Sequence, residues 1–115
     1  MSMNEQLIEE VEVSIQEAKA VIALAEALGN LHNNKDFQLV ILEGYFKNHA
    51  SDLVMSKAAP GLSSDEAQKA ITKSIDSIGE LNQYFSKTYH SGQIMQRSLA
   101  DSEMTREELM AEGLI

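Results

Sequence analysis

The chain has 115 residues with 43% apolar and 23% charged side chains, values that exclude a disordered protein and fit one folded domain. Its net charge of −9 disfavours direct contact with nucleic-acid phosphates. The absence of cysteine removes disulfides, thiolate metal sites and cysteine nucleophiles.

Three Phe, three Tyr and no Trp leave an aliphatic core, with six Met as adaptable fillers. One proline and six glycines supply too little turn material for a many-stranded β fold. The expected class is all-α: an antiparallel helical hairpin or bundle with long helices and a short C-terminal helix, elongated or oligomeric. The chain opens on acidic residues with no basic leader pattern. Its longest uncharged apolar-rich stretch, residues 20–25, is far short of the ~20 residues that span a bilayer. A cytoplasmic protein without membrane contact is expected.

The charge is uneven. Residues 1–30 hold six acids and one base, and residues 101–115 hold five acids and one base, whereas the whole middle is neutral. Such acidic ends either keep the protein in solution or face a basic partner.

The first helix is expected over residues 4–28, within an acidic N-terminal region, 1–30. Ile8, Val11, Ile15, Ala18, Ile22 and Ala25 step by three and four, and Leu7, Val21 and Leu28 widen the stripe. Glu5, Glu9, Glu10 and Glu12 suit the positive end of the helix dipole. Gly29-Asn30 reads as its terminator. Asn33-Asn34-Lys35-Asp36 is the next start signal. The run that follows could be a strand on composition. However, Phe37, Val40, Ile41, Gly44 and Tyr45 keep helical spacing, as do Leu39, Leu42, Phe46, Ala50 and Leu53. Two merging stripes imply a helix with a wide apolar arc, here placed over 34–58.

Ala59-Pro60-Gly61 is the clearest break, and Ser63-Ser64-Asp65-Glu66 has capping-box spacing from Ser63 to Glu66. A helix over 64–100 then pairs with 34–58 as a hairpin. Along it Ala67, Ile71, Ser74, Ile78, Leu81, Phe85, Thr88, Gly92, Met95 and Leu99 form one seam averaging 3.5 residues, which asks for a helical partner. At ~1.5 Å per residue the seam is about 50 Å long, against a radius of gyration of about 13 Å for a compact domain. The seam weakens at Thr88 and Gly92, where a kink, a second subunit or a close backbone approach is expected. Thr105-Arg106-Glu107-Glu108 reads as a second capping box opening a short helix in the acidic tail, 101–115. Leu109, Met110, Leu114 and Ile115 form an apolar set there, too small to fold alone.

No chemistry-bearing pattern emerges. His32, His49 and His90 share no metal-ligand spacing, and the adjacent acid pairs are accounted for by caps and dipoles. No phosphate-binding glycine loop or nucleophile elbow is present, so no enzyme, cofactor or metal site is expected. The polar and aromatic stretch 82–90 is the densest candidate surface, with a helical core plus solvated face as its plainer account. The candidate interaction residues are Ile8, Val11, Ile15, Ile22, Tyr84, Tyr89, Met95, Leu99, Leu109, Met110 and Leu114.

The segment 34–46 (Asn-Lys-Asp-Phe-Gln-Leu-Val-Ile-Leu-Glu-Gly-Tyr-Phe) resembles a pattern in small helical proteins of tailed bacteriophages. The similarity continues through the acidic capping box near Asp65 and the stretch 78–84, about two-thirds of the chain, with no catalytic motif in it. The resemblance implies a phage origin, a location in the host cytoplasm or the virion, and an accessory or assembly role. Two functions are expected in order: a non-enzymatic protein that works through protein contact as a homo-oligomer, because its two seams are longer than one small domain can bury, then an inhibitor or adaptor docking a host protein through its acidic ends.

Overall fold

The computed structural model describes residues 2–113, and all regular structure among them is helical. In chain order come α1 (Met3–His32), α2 (Lys35–Phe37), a π-helical segment (Gln38–His49), α3 (Ala50–Ser56), a single 3-10 turn (Pro60–Leu62) and α4 (Asp65–Gly113). The packing divides into two compact units, to both of which α1 and α4 contribute: residues 1–28 with 88–115, and residues 29–87.

The helix starts follow local chemistry. Ser2 and Glu5 cap α1 reciprocally: Glu5 N–H donates to Ser2 Oγ at 3.1 Å, and Ser2 N–H donates to Glu5 Oε2 at 3.1 Å. Asn34 caps α2 as expected, its Oδ1 accepting from Phe37 N–H at 3.0 Å. The cap of α4 is Ser64 rather than Ser63; Ser64 Oγ accepts from Ala67 N–H at 3.2 Å.

Three expected boundaries are corrected. Helix α1 does not stop at Gly29-Asn30 but continues to His32. No glycine takes the left-handed conformation that would end a helix there, and His32 packs its edge on Phe37 and Phe85. Secondly, α4 is unbroken through Gly92 and through the presumed tail, ending at Gly113 rather than at residue 100. Thr105 therefore starts no new helix; its hydroxyl donates to Asp101 O at 2.9 Å, one turn back in the same helix. Thirdly, the short C-terminal helix is the last stretch of α4, and Leu114 and Ile115 lie outside the described residues.

Helix α2, the π-helical segment and α3 follow one another without a gap as a single second helix over residues 35–56, which carries its own surprise. Residues 38–49 form a π-helix, whose turn holds more than four residues. The wide apolar arc is what this geometry accommodates: Phe37, Ile41, Leu42, Tyr45, Phe46 and Ala50 are all half-buried, at spacings of four to five. Gly44 fits the same turn. A Cβ there would sit 3.1 Å from Leu39 O, the carbonyl five residues back.

In the unit 29–87, the second helix turns back through the Pro-Gly segment onto the first part of α4. Ile71 and Ile78 are buried there at 8% and 7% exposure. Two glutamines hold its turns. Gln38 Nε2 donates to His32 O at 2.6 Å; Gln68 Nε2 donates to Lys57 O at 3.0 Å and to Leu62 O at 2.7 Å. The polar seam position Ser74 is satisfied by its own helix, donating to Ala70 O at 3.1 Å. Gly79, by contrast, is exposed with no heavy atom near the place of a Cβ. Gly79→Ala is expected to raise stability by about 1 kcal/mol, seen as a rise of a few degrees in the thermal midpoint by circular dichroism.

In the other unit, residues 3–28 of α1 lie antiparallel to α4. Asn4 Nδ2 donates to Leu109 O at 2.8 Å, Glu12 pairs with Arg106 at 3.0 Å, and Ala25 meets Gly92. Ile15 and Ala18 are buried to 0% and 1% exposure and Thr88 to 7%. The part of the seam beyond Thr88, expected to kink or to wait for a second subunit, is thus occupied by α1 of the same chain. Gly92 admits the close approach.

Candidate interaction surfaces

The unit 29–87 gathers most of the aromatic rings. Phe85 is the hub, with ring centroids of His32, Phe46, Phe37 and Tyr84 at 5.6, 5.7, 6.0 and 6.1 Å. His32 also meets Phe37 edge-on at 5.3 Å, and Tyr45 links Phe46 at 5.7 Å to a stacked His49 at 5.8 Å. Pairs of this kind add about 0.5–1.5 kcal/mol each beyond burial. A surface position is expected for each histidine; His49 is exposed, whereas His32 is half-buried among these rings, and nothing in local spacing brings residues 32, 37, 46 and 85 together. These rings tie the end of α1 to the hairpin. Among the described residues no group of three or more His, Asp or Glu side chains is placed to hold a metal ion.

The predicted interaction residues divide by burial. Ile15 is wholly inside, and Ile8, Val11, Ile22, Met95, Leu99 and Leu109 are half-buried in the unit that α1 forms with α4. They make the intrachain seam, and Ile15 is not offered to a partner. Tyr84, Tyr89 and Met110 are exposed, and Leu114 lies outside the described residues. Ile8 and Met110 line a groove of about 410 Å³ with Ser2, Asn4, Glu5 and Gly113.

Several large apolar side chains face water, and two of them, Leu39 and Val40, correct the expected wide apolar arc, which leaves both outside it. In the unit 29–87 they include Leu39 and Val40, each 62% exposed, with Val54 and Met55 at 59% and 75%. In the other unit α1 turns outward Val13, Ala20, Leu24 and Ala27, with Val13 57% and Leu24 50% exposed. These keep the same three- and four-residue steps if Glu17 is included, so a second stripe was present in the sequence, behind the stronger one.

Charge separates the two units. Residues 1–28 and 88–115 hold eleven acids and three bases, whereas residues 29–87 hold seven acids and six bases. Both acidic ends of the chain thus belong to one unit, and the other is nearly neutral. Within the acidic unit Arg106 neutralises Glu12, a pair exposed by 29% and 40% and worth under about 1 kcal/mol. Glu9, Glu10 and Glu17 are exposed and make no ion pair among the described residues. No described helix is long and apolar enough to cross a membrane. Comparison with protein-family models, curated proteins and solved structures gives no match to the chain.

Proposed function

We propose that this chain is a non-enzymatic protein–protein interaction protein that self-associates, in the accessory or assembly role that its resemblance to tailed-phage proteins implies. The observation that carries the reading is the exposure of Leu39, Val40, Val54 and Met55 on the second helix, all above half. Apolar side chains left in water beside one another mark an interface better than single ones do, and these stand as two adjacent pairs, 39–40 and 54–55. Their surroundings are nearly charge-balanced, so two copies can meet there without repulsion.

Size-exclusion chromatography with light scattering tests this at micromolar concentration. The parent chain is expected to run as a dimer or larger. Leu39→Asp with Val40→Asp is expected to return it to the 12.7 kDa monomer with its helical circular dichroism intact. A monomeric parent chain removes self-association from the proposal. A second reading, an adaptor or inhibitor for a basic host protein, is favoured by the gathering of both acidic ends into one unit.

A further inference from the structure

We infer that the outward face of α1 in the acidic unit docks a basic amphipathic helix of another protein. The inference rests on the reading of the chain as an interaction protein and supplies the chemistry of one partner.

The face is built by periodicity. While Ile8, Val11, Ile15, Ala18 and Ile22 turn toward α4, the positions Glu10, Val13, Glu17, Ala20, Leu24 and Ala27 recur every three or four residues on the other side. All six are exposed. An apolar line of that spacing, with small alanines alternating with larger side chains, suits a helix laid along it. Larger apolar groups of the partner fit over Ala20, between the ridges of Val13 and Leu24, and over Ala27 beyond Leu24.

Charge selects the occupant. Glu10 and Glu17 stand in the line itself and Glu9 at its edge, each exposed and without an ion partner among the described residues. Lys19, the lysine of this helix, lies about a third of a turn away from the line. A second copy laid here would add three more carboxylates and bring no base to meet them, an arrangement that like-charge repulsion opposes. Nucleic acid and anionic lipid surfaces are repelled for the same reason. A helix with leucine-type side chains at heptad spacing and lysines beside them meets both the apolar line and the carboxylates.

The test uses the full chain and three synthetic peptides of about three heptads each. One carries Leu in the heptad line and Lys beside it, one carries Leu and Glu, and one carries Ser and Lys. Fluorescence anisotropy near physiological salt reads binding. The Leu/Lys peptide is expected to bind, more weakly as salt rises, and both other peptides to bind at least about tenfold more weakly. Leu24→Asp, and separately Glu10→Gln with Glu17→Gln, are each expected to weaken the Leu/Lys peptide about tenfold or more. Both sites are exposed, so the folded dichroism signal persists. Met104→Asp, at an exposed position of α4, is expected to change nothing. The inference is overturned if the Leu/Lys peptide fails to bind, if the Ser/Lys peptide binds equally well, or if Leu24→Asp leaves binding intact. It also falls if Leu24→Asp lowers the mass seen by light scattering, since a second copy then covers the face. Leu39→Asp with Val40→Asp reports separately: a change of mass without a change in peptide affinity leaves the two surfaces independent.

Discussion

Ile15→Ala is expected to lower the free energy of unfolding by about 3 kcal/mol, the middle of the range for truncating a fully enclosed aliphatic side chain. Ile15 has no exposed surface, and Ala18 beside it on the same face is nearly as enclosed. Little in that unit can collapse into the space, because α1 and α4 are already tied by Asn4 to the Leu109 carbonyl and by Glu12 to Arg106. In a chain of this length the change corresponds to a fall of roughly 12 °C in the thermal midpoint. Urea melts followed by circular dichroism check it, with Ile15→Val expected to cost only about 1 kcal/mol. A loss below that for the alanine variant would mean that the α1–α4 contact is not a fixed core.

The second large effect is at Gly92. A Cβ on this residue would stand 2.5 Å from the Ala25 Cβ, a distance no pair of methyl groups tolerates. Alanine has no rotamer with which to withdraw, so the helix backbones must separate. Gly92→Val is expected to destabilise by about 3 kcal/mol, the upper part of the range for overpacking. Gly92→Ala suffers a milder clash, partly offset by the roughly 1 kcal/mol that alanine gains over glycine in a helix. Ala25→Gly combined with Gly92→Ala makes room again, and a double-mutant cycle on thermal or urea stability is expected to show positive coupling between the two sites. Additive effects would disprove the contact.

These two positions also show how much of the structure is readable from order alone. Gly92 stands in the α4 seam at the expected step, and a close backbone approach was one of the readings that the step allowed. What local order did not disclose is the partner, because α1 and the far end of α4 are separated by the whole hairpin. The seam itself was traced only to Leu99. Its continuation through Ser102, Arg106 and Leu109 is half-buried, but Ser102 and Arg106 are polar and break the apolar pattern. Thr105 and Glu108 then imitate a helix start, although the backbone around them is already helical. The reciprocal cap at Ser2 and Glu5, in contrast, has the plain spacing of a capping box.

For function, periodicity was informative in a way that motif searching was not. The strongest apolar stripe of α1 marks residues that hold the chain to itself, and Ile15 is the clearest of them. The weaker stripe of Val13, Ala20, Leu24 and Ala27 faces water. Its two carboxylates at line positions interrupt the hydrophobic signal and hide it. The aromatic cluster around Phe85 was invisible for another reason: it draws on α1, the second helix and α4 at once.

The π-helical segment has a consequence for how this sequence can vary. A π-turn differs from an α-turn by holding one residue more. Loss of a residue such as the exposed Val40 lets one turn tighten to α geometry while the helix on either side keeps its direction. The same loss in α4 rotates everything beyond it by about 100° and carries the seam off its partner. Between Gln38 and His49 the chain can therefore change length by a residue and keep its fold, a tolerance that the long regular helices do not share.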